Sequence, residues 1–450
     1  MGRLIRRLAV LGVLSTIVLG LAPMASAATL ATFELPTAVA AYGSGIQFSQ
    51  PVTILKPVVR VELLLTVADA IGPTIVQVAP PAGIGQRELS HFLDTSGDGH
   101  LLPNTPIVAR WRLVGAEDPT DVVLGPVVRL TYQDDRFDWR TQVGALVRVH
   151  WYEGSADFGR RALAIGEDAV RTASDLLGVS ESEPVDFYIY ADRTAFYDAL
   201  GPGTRENVGG EAVAGIRTLF ALITPGEISD TWVGTVIPHE LTHLVFDAAA
   251  GNAYHLPPDW LNEGLAVDTS QGYDASDRGL VAEAVGAGTL IPLDGLLGQF
   301  PTSANGFFLA YAESVSAVDF MIRTYGSDAL VTVIRAYKDG RTDDEAFKAG
   351  LGIDMTDFGS AWLADLGARP PTRYGPQPAP TGPVPSAWLT EQVAAPAAPA
   401  ASPVASPVAP SVERHDSTLG IVAVLGLGIV VVVLSLVWRA RRRPGVGSGP

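Results

Sequence analysis

His239-Glu240-Leu241-Thr242-His243 is the stretch of this 450-residue chain whose residue types and spacing best suit chemistry. Residues four apart share one face of an α-helix, so both imidazoles can reach one metal ion. Glu240 stands one step round, beside the ion rather than on it. There a carboxylate can take a proton from metal-bound water and pass it to a leaving amine. The flanks suit a buried helix: Val236, Ile237, Leu244 and Val245 are apolar, and Gly251 is a natural stop. Pro238 fits only if the helix begins near it or kinks there. The competing reading is a histidine pair packed in a core.

A tetrahedral site needs a third protein ligand and one open position. Trp260-Leu261-Asn262-Glu263-Gly264-Leu265-Ala266 supplies Glu263, 20 residues after His243. That interval lets the first helix end, turn through Pro257 and Pro258, and be followed by a second helix that returns. Two histidines and one glutamate make a donor set for Zn2+, one ion per chain, with a position left for water.

These two segments carry a resemblance. HELTH followed by NEGLA resembles the gluzincin metallopeptidases. WLNEGLA is similar to the aminopeptidase N-type segment, and HELTHLVFDAAAGNAY is similar to the thermolysin motif helix and its continuation. Residues 145–368 as a whole look like the bacterial peptidase MA-like domain. The resemblance implies a zincin-like α+β domain and a zinc metallopeptidase that hydrolyses peptide bonds by Glu240-assisted attack of zinc-bound water. It implies His239, His243 and Glu263 as ligands, and a tyrosine that binds the oxyanion. Tyr311 matches the aminopeptidase-type position and Tyr254 the thermolysin-like one. Asp247 matches a carboxylate that can orient an imidazole by taking its other N–H. The pattern departs at Val267, where thermolysin-like enzymes carry Asp. No GxMEN-like motif precedes the site, which leans towards endopeptidase. A peptide or protein is the expected substrate. The alternative is a catalytically silent zincin-fold module used for surface adhesion or assembly.

The positioning elements follow from periodicity. Ala156–Leu177 is helical, with Phe158, Ala162, Ile165, Ala169 and Ala173 on one stripe. Strands are expected at Val147–Tyr152 and Val185–Tyr190, and a short helix at Arg193–Leu200. Ala212–Ile223 reads as one long strand or a hairpin. From Asp230 to about Leu366 the chain reads as mostly helical. This is the α+β catalytic domain, residues 143–368, strands first and helices after. Before it, short β-branched runs punctuated by Pro and Gly predict an all-β sandwich over 28–142, with strands at Val58–Val67, Thr74–Val78, Ile107–Leu113 and Val127–Tyr132. Asp94–His100 invites a calcium-loop reading but has Thr105 where the loop glutamate belongs, so a polar turn is expected.

The ends give an address. Arg3, Arg6 and Arg7, the apolar run Leu8–Leu21 and Ala25-Ser26-Ala27 read as a signal peptide over 1–27. Residues 369–416 form a Pro/Ala-rich linker, expected to be disordered and extended; 12 prolines fall within 370–410. Residues 417–438 include a 21-residue uncharged run, 418–438, long enough to be a transmembrane helix. Arg439 and Arg441–Arg443 open a basic tail, 439–450, that favours a cytoplasmic C-terminus. The expected protein is therefore single-pass in the cell membrane, its N-terminal domains extracytoplasmic. With the seven arginines of the two ends set aside, 24 basic residues face 48 acidic ones. A surface that acidic repels phosphate backbones and argues against nucleic acid. The absence of cysteine excludes thiolate ligands, thiol nucleophiles and disulfides.

Overall fold

The computed structural model describes residues 29–371, apart from 69, 181–183, 203, 205–208, 253 and 254. The predicted signal peptide, linker, membrane span and basic tail lie outside the described residues. Among the described residues no helix is long and apolar enough to cross a membrane.

The first part is all β. Its strands are β1 Ala31–Phe33, β2 Thr37–Ala41, β3 Gly45–Ile54, β4 Val58–Val67, β5 Thr74–Val78, β6 Gly85–Asp94, β7 Thr105–Gly115 and β8 Val122–Tyr132. In one sheet β3 pairs with β6 on one side and with β1 and β2 on the other; the second runs β5-β4-β7-β8. All these pairings are antiparallel. Alternation sends Phe48, Leu63 and Trp111 into one core between the sheets and their neighbours outwards. The Asp94 turn closes on itself: Asp94 Oδ1 accepts from the Ser96 amide and hydroxyl.

The second part opens on a five-stranded sheet. β9 Arg140–Val143, β10 Val147–Trp151, β11 Val185–Tyr190, β12 Gly210–Val213 and β13 Thr218–Leu222 lie in the order β12-β13-β11-β10-β9. The three central strands are parallel, and the two edges run antiparallel to them. The ambiguous run before the motif is thus a hairpin, β12 and β13, joined by a 3-10 turn that ends at Arg217 in the left-handed region.

α1, Ala156–Leu177, crosses the sheet. Ser155 caps its N-terminus by accepting from the Phe158 amide, and Gly178 ends it at φ 60°. Ile165 of the expected stripe is only half-buried. Gly166 is buried instead, because the helix comes so close to Val147 that a Cβ there would sit 3.3 Å from it. α2 Arg193–Leu200 follows β11. The rest is helical: α3 Val233–Ala250, α4 Asp259–Ser270, α5 Ala275–Ala287, α6 Ala304–Tyr325, α7 Ser327–Lys338, α8 Asp343–Leu351 and α9 Met355–Asp365.

α3 lies against the sheet and α1 on one side and α4 on the other, and α4 lies on α6. Gly264 permits that last contact: a Cβ there would stand 2.4 Å from the Ser314 carbonyl oxygen. Both parts agree with the expected order of a β-rich domain followed by an α+β domain. β9 straddles the expected boundary at 142/143 and pairs within the second sheet.

Candidate metal centre

α3 and α4 bring three expected ligands together. His239 and His243 project from one face of α3, ring centroids 4.9 Å apart. Glu263 comes from α4. Its Oε2 is 3.4 Å from His239 Nε2, and its Oε1 is 3.6 Å from His243 Nε2. One donor atom from each residue lies within 4.8 Å of the others, and no other such group of His, Asp or Glu occurs among the described residues. All three are buried, at most 6% exposed. Both Nε2 atoms lack a protein hydrogen-bond partner. Buried polar atoms normally find partners, so two orphaned nitrogens facing one carboxylate make a pocket shaped for a cation.

The protonation states suit that use. Burial pushes His239 down to about 3 and also lowers His243, so both imidazoles are neutral near pH 7 and have lone pairs to give. His243 Nδ1 meets Asn262 Oδ1 at 2.9 Å. An amide oxygen can only accept, so Nδ1 carries the hydrogen and Nε2 faces the pocket bare. Asn262 therefore does what the resemblance offered to Asp247, which is exposed on the far turn of α3. Burial raises Glu263 to about 7, while the nearby His243 and Tyr311 pull the other way. A divalent ion in the pocket would oppose that rise.

Glu240 is fully buried, and the edge strand takes hold of it. The Ala212 amide of β12 donates to Glu240 Oε2 at 3.2 Å, while Oε1 has no partner. Gly210 lets β12 approach this closely; a Cβ there would stand 3.1 Å from Glu240 Cγ. Burial, with the charges of Glu263 and Glu211 nearby, raises the Glu240 pKa well above its ordinary value. Glu211 on the same strand is raised to about 7 by burial. Asp259, one turn before Glu263 on α4, is raised to about 7 by burial and the Glu263 charge; its Oδ2 is a further orphan.

Tyr311 stands on α6 beside the pocket. Its ring centroid is 6.2 Å from that of His239 and 4.9 Å from that of Phe307. Tyr254 lies outside the described residues. His255 is bound elsewhere, to Asp343 Oδ1 at 3.2 Å. Sequence reasoning missed the Ala212 amide, because it joins Glu240 only through the approach of an edge strand to a helix. The awkward Pro238 is inside α3, past its first turn. Its missing N–H leaves the Gly234 carbonyl without the usual helical partner, and Thr242 Oγ1 donates to the Pro238 carbonyl at 2.8 Å.

Two helices present a His-His-Glu set that could hold a metal ion, backed by a mixed sheet. The comparison with protein families agrees and is more specific. Residues 165–368 match the model of the Peptidase MA superfamily. No curated protein matches the chain. Among solved structures, it is similar to an aminopeptidase N family protein from Idiomarina loihiensis at 10% identity and TM-score 0.38, over 73% of this chain and 76% of that one. It is also similar to an M1 zinc metallopeptidase from Deinococcus radiodurans at 14% identity and TM-score 0.34, over 79% and 97%. Both likenesses are loose.

Proposed function

We propose that the α+β domain is a zinc-dependent peptidase. The observation that carries this is the pair of orphaned, buried Nε2 atoms facing Glu263, with the free oxygen of Glu240 one helix step away. His239, His243 and Glu263 hold the ion. Zinc there supplies Lewis acidity to a carbonyl oxygen and to a water. Ala212 pins one Glu240 oxygen, so the other is the proton acceptor. Glu240 Oε1 takes the proton of the attacking water and delivers it to the departing nitrogen. Asn262 fixes the tautomer of His243. Tyr311, buried beside His239, donates to the developing oxyanion; Tyr254 is the other candidate for that task.

Incubation of the protein and its Glu240→Ala form with a diverse peptide mixture, read by mass spectrometry, tests this. Cuts by the parent alone are expected, and their positions separate endopeptidase from aminopeptidase. Zinc bound at one equivalent with no cuts by either form would sink the reading. That result would favour a catalytically silent adhesion or assembly module, a reading that the depth of Glu240 and Glu263, both 0% exposed, favours.

We infer further that residues 1–27 direct export, that 28–142 and 143–368 are separate domains, and that 417–438 anchor the chain with both domains outside. The support is the charge and hydropathy of the two ends. Protease added to intact cells should remove the domains and leave the basic tail protected; full protection of the domains would refute it.

A further inference from the structure

The outer face of the β5-β4-β7-β8 sheet gathers positive charge on an acidic protein. Val61, Leu63 and Leu65 of β4 and Ile107, Ala109 and Trp111 of β7 point into the core. Their neighbours therefore point outwards, and the register sets these side by side. Glu62 lies opposite Arg112, Leu64 opposite Arg110, and Val108 opposite both Thr66 and Arg129. Arg60 shares the face, so β4, β7 and β8 supply four arginines. The one acid among these strands' outward residues is Glu62, which is 3% exposed and held by Arg60, Arg112 and Gln77. Neither Arg110 nor Arg129 meets a carboxylate among the described residues; Arg110 Nε donates to the Gly125 carbonyl. The formal sum on the face is plus three, in a chain of net charge −17.

Aliphatic side chains border the arginines. Ile75 on β5 is 47% exposed, Leu124 on β8 42% and Val127 36%. The face that β3 and β6 turn outwards differs: Gln47, Ser49, Pro51 and Thr53 stand opposite Phe92, Ser90, Glu88 and Gln86, without arginine.

We propose that this arginine face docks an extended, acidic segment of another protein. It has arginine with neither lysine nor exposed acid, the charge selection seen at protein interface cores. Guanidinium forks match carboxylates in pairs. Arg110 and Arg112 are two residues apart on one strand, about 6.8 Å, the repeat of carboxylates at alternate positions of an extended segment. The face has no aromatic platform for bases. The inference is independent of the peptidase reading.

The test is fluorescence anisotropy of the full-length protein with a labelled Glu-Thr repeat peptide of about 12 residues. Binding is expected, about ten-fold or more tighter than for the Gln-Thr counterpart, and weakening as salt rises from about 50 to about 300 mM. Arg110→Glu with Arg129→Glu should weaken it by at least about ten-fold. Arg129→Gln alone, at an exposed site without a partner, guards against misfolding and should weaken it about three-fold, with melting unchanged. Equal binding of both peptides, indifference to the arginines, or no binding would overturn the proposal. So would arginine-dependent binding of phosphatidylglycerol vesicles or a sulfated polysaccharide in place of the peptide.

Discussion

Two buried carboxylates set the two halves of the molecule apart. Glu62, on the sandwich, is surrounded by donors from Arg60, Arg112 and Gln77, and the bond from Arg112 leads in lowering its pKa. Glu263, in the helical half, is fully buried with two neutral imidazoles in front of it, and burial drives its pKa up. The first is a finished interaction. The second costs stability until a cation arrives, which is how a metal-binding group differs from a structural one. The contrast also separates their surroundings: the sandwich keeps arginines at its surface, whereas no Lys or Arg pairs with the carboxylates of the metal pocket among the described residues.

The largest expected effect falls on Glu240. Glu240→Gln should lower peptide hydrolysis by about 10²–10⁴-fold while zinc stoichiometry is kept; loss of zinc instead would make Glu240 a ligand rather than a base. Next comes Asn262→Ala, expected to weaken zinc binding about 10–100-fold in a chelator competition. An unchanged affinity would mean that something other than Asn262 sets the His243 tautomer.

The carboxylates themselves should respond with opposite signs. In metal-free protein near pH 8, Glu263→Gln should raise unfolding stability by about 1 kcal/mol, because a buried charge without a cation is removed. Glu62→Gln should lower it by about 1 kcal/mol, a value discounted for the partly exposed arginines. Zinc at about 100 times its Kd should add about 2.7 kcal/mol to the parent and nothing to Glu263→Gln. Denaturant titrations with and without zinc read all three, and equal signs for the two substitutions would break the contrast.

The smallest effect is a pH slope. Glu313 on α6 is buried away from the pocket and accepts from the Ile291 amide; burial raises it to about 8. A carboxyl raised in the folded state holds its proton better there than unfolded. Its contribution is full below the ordinary value of about 4.5 and is lost as pH rises through about 8. Glu313→Gln should flatten stability across that window; an unaltered slope would show that Glu313 is not the group responsible.

Much of the site was legible because helix periodicity converts spacing into geometry. His239 and His243 could be assigned to one face, with Glu240 one step round, from residue numbers alone, and α1, β11 and α2 were read to the residue from local pattern. Ala212–Ile223 stayed ambiguous because its break, at Ala214–Ile216, is marked by a single glycine between apolar residues. Asn262 was visible, but not its partner: the bond to His243 exists only because α4 returns across α3. The arginine face was unreadable for a similar reason. Alternation says which residues of one strand share a side, but only pairing says which arginines of three strands become neighbours.

The sequence by itself determined the donor types, the helical spacing of the two histidines and the neighbouring base, and the division into β-rich and helical halves, since all of these follow from local period and composition. The tertiary structure alone decided that Glu263 faces both imidazoles, that a β12 amide holds one oxygen of the base, and that four distant arginines form one surface. Those depend on distances across elements, and such distances are set by packing and strand register rather than by any repeat along the chain.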